Sequence, residues 1–238
     1  MTVADTPVAV LAGGSATRLG PLSAATPKAL LEVAGRPFLD HQLELLRRRG
    51  LRRVVLCLGH MGEQVEAHVG DGARFGLRIA CSHDGPRPLG TAGALRQALP
   101  LLGELCFVLY GDAYLDVDYA EALLDFEARG GQALGLMTVF RNEGRWDRSN
   151  VRFADGRLIR YDKRAPSPDM SHIDHGLGLL RREAVERVPA AESADLADLY
   201  ASLVAEGRML GHEVATRFYE IGSPTGLAQA RAFLAGRG

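Results

Sequence analysis

Between Val8 and Leu31 the chain reads VAVLAGGSATRLGPLSAATPKALL, a short apolar block that empties into two glycines and then supplies Arg18 and Lys28. Gly13 and Gly14 let the backbone turn sharply and present its N–H groups to an anion with no side chain in the way. Ser15 and Thr17 add hydroxyl donors, Arg18 a bidentate fork and Lys28 a mobile point charge. Pro27 biases Thr26 toward an extended conformation and stiffens the approach to Lys28. The pattern suits a loop that handles phosphate. An ordinary strand-to-loop turn carrying two solvated cations is the competing reading.

Other positions carry chemistry of their own. Gly111-Asp112 follows an apolar run, and a carboxylate at a strand end can hold a hard divalent cation or simply close a turn. His83 and Asp84 could read the edges of a base or stand solvated. His172, Asp174 and His175 form a polar cluster before Gly176. Strand alternation puts His172 and Asp174 on one face and His175 on the other, which argues against a zinc site.

The elements that must hold these residues alternate. Val8 to Leu11 reads as a buried parallel strand. Phe38 to Arg49 reads as a helix with Leu39, Leu43 and Leu46 on one face, Arg47, Arg48 and Arg49 at its end and Gly50 as its stop. A strand in RRVVLCLG, a helix from about Met61 to Val69, a strand near Leu77 to Ser82, a helix from Thr91 to Leu99 and a strand from Cys106 to Tyr110 complete the first half. This order predicts an α/β fold, a Rossmann-like three-layer α/β/α domain on a mostly parallel mixed sheet, with ligands at the carboxyl ends of the strands. In the second half, strands are expected at Ala133 to Arg141, Asn150 to Phe153 and Leu158 to Lys163, with Asp155-Gly156 as a hairpin turn. Helices follow at about Arg182 to Val188 and Asp195 to Glu206, then one strand-like segment from His212 to Ile221 and a closing helix to about Leu234.

Composition bounds the partners. The 238 residues are 47% hydrophobic and 24% charged, with a formal net charge of −1. This balance gives no electrostatic case for nucleic acid or a membrane surface as the main partner, so a cationic site must be local: Arg18, Lys28 and Lys163 would suffice. Cys57, Cys81 and Cys106 lack metal-ligand spacing and read as buried thiols in a reducing compartment. With no basic leader and no apolar run of about 18 residues, the expected location is cytoplasmic. Oligomeric state is not readable, and a homo-oligomer stays open.

The opening segment resembles the signature of the sugar-1-phosphate nucleotidyltransferases, roughly LAGGxGTRLxPLTxxxPKxLL. Gly13, Gly14, Thr17, Arg18, Leu19, Pro21, Leu22, Pro27, Lys28, Leu30 and Leu31 fall in place, while Ala16 stands where a third glycine is usual and Ser23 where a threonine is common. The resemblance implies that Leu11, Ala12, Gly13, Gly14, Ser15, Thr17 and Arg18 bind the nucleotide. It adds Gly90, Thr91 and Ala92 from LGTAGA, whose small residues lie against base and ribose; Thr91 could also cap the helix that follows. Asp112 resembles the aspartate of the family's GD motif, which binds Mg²⁺. Glu220, in RFYEIGSP, takes the place of the second metal-binding aspartate in W-x-D-I/T-G-T-P, with a salt bridge to Arg217 as the alternative. Tyr161-Asp162-Lys163 resembles the E-K-P element, so Asp162 falls to sugar hydroxyls and Lys163 to the sugar phosphate. Asn150 aligns with a G-x-V segment near the sugar, or is a turn residue.

What this implies is one nucleotidyltransferase domain over residues 1–238, with a nucleotide-binding half to about 112, a sugar-phosphate half from about 113 and no hexapeptide β-helix after it. A sugar-phosphate oxygen attacks the α-phosphorus of a nucleoside triphosphate in line and pyrophosphate leaves, with Arg18, Lys28 and Asp112 as the catalytic groups and Mg²⁺ as cofactor. LGTAGAL and GDGARFGLRI resemble both the enzymes that guanylylate heptose or mannose 1-phosphates and those that uridylylate N-acetylmuramic acid 1-phosphate, and the resemblance of Leu89-Gly90-Thr91 to the former leans the reading to GTP with a heptose- or mannose-type 1-phosphate. Uridylylation of N-acetylmuramic acid 1-phosphate or another hexose 1-phosphate is the alternative, and a catalytically silent nucleotide-sugar-binding subunit is a third reading of a different class. A dehydrogenase is disfavoured because the loop lacks G-x-G-x-x-G.

Overall fold

The computed structural model describes residues 1–14, 19 and 25–237. Assignments made above to Ser15, Ala16, Thr17, Arg18, Pro21, Leu22 and Ser23 therefore lie outside the described residues. In chain order the elements begin with β1 (Val8–Leu11), the short hairpin β2 (Glu32–Val33) and β3 (Arg36–Pro37), α1 (Phe38–Arg48), β4 (Arg53–Leu58) and α2 (Gly62–Val69). They continue with β5 (Arg78–His83), α3 (Gly90–Gln97), β6 (Leu105–Tyr110), β7 (Ala113–Tyr114), α4 (Tyr119–Arg129) and β8 (Gly135–Arg141). The last are β9 (Val151–Ala154), β10 (Arg157–Tyr161), β11 (His172–Arg181), α5 (Arg182–Glu186), α6 (Leu196–Ala205), β12 (Met209–Val214), β13 (Tyr219–Glu220) and α7 (Pro224–Ala235).

β1 lies between β4 and β6 in parallel register, Leu11 opposite both Cys57 and Tyr110. It is apolar at every position because both its faces are covered. Val8 and Val10 pack toward α1, α2 and α4, against Leu39, Leu43, Val65 and Phe126. Ala9 and Leu11 pack toward α3, α5 and α6, against Leu95, Ala184 and Leu203. Each fully buried leucine stabilises the fold by roughly 1.5–3 kcal/mol, and a one-residue slip of β1 would exchange the two sets. The three layers expected from the sequence are present.

The strands run β5-β4-β1-β6-β11-β8-β12, with the β9–β10 hairpin attached at the start of β11. The β5-β4-β1-β6 block is parallel, β11 is antiparallel to both β6 and β8, and β12 is parallel to β8. From β1 the chain winds outward through β4 to β5, then returns to place β6 on the other side of β1. That reversal opens a crevice beyond the carboxyl ends of β1 and β6, where open α/β sheets bind ligands. Gly111 is required there: a Cβ would lie 2.8 Å from the Leu11 carbonyl oxygen and 2.9 Å from the Ala12 Cα.

Several elements differ from the sequence expectation. α4 was not anticipated, although Asp118 caps it by accepting from the N–H groups of Ala120 and Glu121. Asp118→Ala is expected to cost about 1 kcal/mol, read as a shift of the urea midpoint at unchanged slope. The ten-residue β11 is a central strand that only its H-x-D-H alternation hinted at. The segment expected as one strand from His212 to Ile221 is two: β12 extends the main sheet, while β13 pairs antiparallel with β7 in a separate two-stranded sheet. β10 stops at Tyr161, leaving Asp162 and Lys163 on the turn beyond it. Asp155-Gly156 does form the hairpin turn, with φ of +51° and +72°. Cys57 and Cys106 are buried as expected, and Cys81 is half-buried; burial pushes the Cys81 thiol up to about 11.

Candidate active site

Two cavities meet at the end of β6. The first, about 330 Å³, is bordered by Leu11, Ala12, Gly13 and Gly14 after β1, by Lys28 and Ala29, by Cys57 and His60 after β4, by Asp84, by Pro88, Gly90, Thr91 and Ala94 of α3 and its approach, and by Tyr110, Gly111 and Asp112. The second, about 440 Å³, is bordered by Tyr110 and Asp112 again, then by Trp146, Asp147, Asn150, Lys163, Asp174, His175, Arg217, Glu220 and Gln229 among others. The first cavity draws on residues up to 112 and the second on residues from 110 onward.

Lys28 and Asp112 form the contact at the junction. Lys28 opens a short 3-10 turn, and its Nζ donates to Asp112 Oδ2 at 2.7 Å, with side chains 17% and 28% exposed. The pair brings together the two ends of the sequence pattern, 84 residues apart. The backbone around it is tightly paired: the Ala12 N–H donates to the Cys57 carbonyl and the Gly111 N–H to the Leu11 carbonyl. Gly14 is exposed at the mouth.

The glycines of LGTAGA have a packing reason. A Cβ on Gly90, whose φ is +69°, would meet the Ala194 carbonyl oxygen at 2.5 Å, and one on Gly93 would meet the Glu192 carbonyl oxygen at 2.5 Å. Thr91 does not cap α3, whose capping position is Leu89. Its hydroxyl donates to Asp195 Oδ1 and accepts from the Leu196 N–H, tying α3 to the start of α6. Ala92 is fully buried, donates its N–H to the Ala194 carbonyl and does not border the cavity. Asp84 does border it, and its Oδ2 accepts from the Leu89 N–H. Burial raises its carboxyl above the ordinary range, opposed by that N–H and by His83.

In the second cavity the predicted residues divide. Asn150 is buried, and its Oδ1 accepts from the Asp174 N–H at 2.9 Å. Lys163 holds its Nζ 5.5 Å from the centre of the Tyr110 ring. Asp162 lies away from the cavity: its carboxylate accepts from the N–H groups of Arg164 and Ala165 and from Arg160. These bonds, the Ala165 N–H first, hold it below the usual carboxylate range.

The expected alternation at H-x-D-H holds: His172 meets Phe153 and Asp174 meets Tyr161 on one face of the sheet, His175 packs on Phe140 and Phe218 on the other, and β11 breaks register only after Asp174, where Gly176 adopts φ +103°. Asp174 and His175 both border the cavity, whereas His172 packs against Phe153 and bonds Glu213 instead. Burial raises the Asp174 carboxyl, against the Gly176 N–H, the Lys163 charge and the Tyr161 hydroxyl. His175 Nε2 donates to the Thr216 carbonyl at 2.9 Å, Phe140 and Phe218 flank the ring, and buried Nδ1 has no partner. Burial lowers its pKa from 6.5 to about 4. Trp146 and Arg217 were not expected at the site, whereas Asp174 and His175 belong to the polar cluster before Gly176 already marked as carrying chemistry.

Glu220 pairs with Ala113 across β13 and β7, next to Asp112. Its carboxylate accepts from the N–H groups of Gly222 and Ser223 and from the Ser223 hydroxyl, so it is committed to its own turn. The alternative salt bridge to Arg217 does not form; Arg217 donates to Gln229. Among the described residues no group of three or more His, Cys, Asp or Glu side chains is arranged to hold a metal. Asp112 nonetheless fits a hard cation in donor type, since Lys28 occupies Oδ2 alone. A site of one or two carboxylates completed by substrate oxygens is the arrangement Mg²⁺ favours. For Glu220 to join it, its bonds to Gly222 and Ser223 must be exchanged.

The profile of the family described as Nucleotidyl transferase matches residues 8–146. The N-acetylmuramate alpha-1-phosphate uridylyltransferase of Neisseria meningitidis serogroup B is 30% identical over 228 residues, covering 94% of this chain and 96% of that protein. The mannose-1-phosphate guanylyltransferase of Mycobacterium tuberculosis is 28% identical over 94% of this chain, which spans only 63% of that longer protein. A Bacillus anthracis structure, assigned as a glucose-1-phosphate thymidylyltransferase, shares the fold with a TM-score of 0.85 at 19% identity, covering 97% of this chain and 95% of that one. With the profile over more than half of the sequence and a 30% identical relative matched almost end to end, the chain belongs to the nucleotidyl transferase family and, within it, to the sugar-1-phosphate nucleotidyltransferases.

Proposed function

We propose that the first cavity takes a nucleoside triphosphate and the second a sugar 1-phosphate, and that the nucleotidyl group passes between them beside Lys28 and Asp112. The carrying observation is that Tyr110 and Asp112 border both cavities, so one strand end faces both ligands. On this reading the backbone at Gly13 and Gly14, with Arg18, receives the phosphates. Lys28 neutralises charge on the α-phosphate as the sugar-phosphate oxygen attacks in line. Asp112 holds Lys28 in place through Oδ2. Lys163 steadies the sugar phosphate, and Asn150 orients the β11 backbone that lines the sugar site. A divalent cation, Mg²⁺ in this proposal, would be held by Asp112, with Glu220 as the second donor, and would supply neutralisation of the departing pyrophosphate.

Two substrate readings have support. Asp84 in the first cavity offers a carboxylate that guanine N1–H and N2–H can both donate to, which favours GTP with a mannose- or heptose-type 1-phosphate. The relative matched over 96% of its length favours UTP with N-acetylmuramic acid 1-phosphate. Either reaction would take place in the cytoplasm, and no described helix is long and apolar enough to cross a membrane. The test is pyrophosphate release across four nucleoside triphosphates and a panel of sugar 1-phosphates with Mg²⁺. One triphosphate is expected to exceed the others by at least tenfold in kcat/KM. Nucleotide binding with no release on any pair would instead support the silent-subunit reading.

A further inference from the structure

Arg217, between β12 and β13, is a cation with no use in the reaction just described. Its guanidinium carbon lies 3.4 Å from the centre of the Trp146 ring and 4.7 Å from that of Tyr219, which itself stacks on Phe233 at 3.9 Å and 15°. Two aromatic contacts fix the plane of the guanidinium. Nη2 donates to the neutral Gln229 amide oxygen, and Nε is buried without a partner. The carboxylates that share the cavity are committed elsewhere: Asp112 to Lys28, Asp174 to the Gly176 N–H and the Tyr161 hydroxyl, Asp147 to the Arg148 N–H, and Glu220 to its own turn. The fixed charge therefore has no ion-pair partner among the described residues.

Position separates this cation from the phosphate. Tyr110 and Asp112 mark the end of the second cavity that adjoins the first, and Lys163 sits over Tyr110. Arg217, Trp146 and Gln229 border the second cavity and not the first. A sugar whose phosphate lies at the junction presents its ring substituents, not its phosphate, to Arg217. Hydroxyls need no permanent charge for recognition, whereas a planar two-donor fork matches a carboxylate. Resting on the assignment of the second cavity to the sugar 1-phosphate, we propose that Arg217 selects a sugar 1-phosphate bearing a carboxylate on a ring substituent.

N-acetylmuramic acid 1-phosphate and N-acetylglucosamine 1-phosphate are suitable probes because they differ only by a lactyl ether carboxylate. With the triphosphate found active, the wild-type protein is expected to prefer the carboxylated probe by at least tenfold in kcat/KM, expressed mainly in KM. Arg217→Gln is expected to reduce that preference at least tenfold, and Arg217→Lys to restore part of it. Equal losses on both probes would assign Arg217 to the phosphate or to packing and overturn the proposal, as would a wild-type preference for the neutral sugar. Calorimetric titration of wild-type protein with each sugar phosphate reads the same preference without turnover and without relying on a variant that folds. An inactive protein that still binds the carboxylated probe tenfold tighter would thus sink the proposed reaction and leave this inference standing.

Discussion

Lys28→Met is expected to lower kcat/KM for pyrophosphate release by about 10²–10³-fold, the usual consequence of removing one preorganised charge from a transition state. The substitution keeps an unbranched apolar stem and deletes only the ammonium. In the native protein that ammonium donates to Asp112 Oδ2 at 2.7 Å where the two cavities meet. Because both side chains retain contact with water, 17% and 28% exposed, the pair itself stabilises the fold by no more than about 1 kcal/mol. Thermal unfolding should therefore move little while turnover collapses. Lys28→Arg tests geometry separately: it preserves charge but replaces a compact point donor with a planar fork, so partial activity is expected. Wild-type kcat/KM in Lys28→Met would make the Lys28–Asp112 pair a structural clamp and remove Lys28 from the reaction.

The second large effect is on stability in mild acid, and it belongs to His175. Its folded-state pKa is about 4 against 6.5 for the free side chain, chiefly because burial penalises the charged ring. Above pH 6.5 the ring is neutral whether the chain is folded or not, and its contribution is fully present. As pH falls through 6.5 the unfolded chain binds a proton that the folded chain refuses, so stability declines until about pH 4, where the folded ring is protonated too. The loss over that window is on the order of 3 kcal/mol. Asp84 and Asp174 act in the opposite direction, since burial raises both carboxyls and acid relieves their penalty. The contribution of His175 is therefore read as a difference: urea unfolding from pH 7.5 to pH 4 for the wild type and for His175→Gln. The variant should lose the decline between pH 6.5 and pH 4, whatever its absolute stability. Parallel curves would show that the ring is not buried neutral.

Local pattern carried a large part of this molecule. The all-apolar β1, the leucine spacing of α1 and the Asp-Gly turn at 155–156 are each decided by near neighbours in the chain, and each forms where expected. Failures occurred where a distant contact overrode a local rule. Thr91 has the chemistry of a cap, but Asp195 and Leu196 claim its hydroxyl. The stretch from His212 to Ile221 is strand-like throughout, yet it splits because β8 offers a free edge to its first part and β7 to its last.

The sequence by itself determined the class of fold and the family. These follow from residue types at short spacing, where a glycine pair, a proline and a cation act through the few bonds that separate them. Only the tertiary structure brought Lys28 onto Asp112, placed Trp146 and Arg217 in one stack, and left Asp162 on an outer turn. Side chains 84 residues apart meet through sheet order and the reversal at β1, and the geometry of that reversal is set by the packing of both helical layers at once.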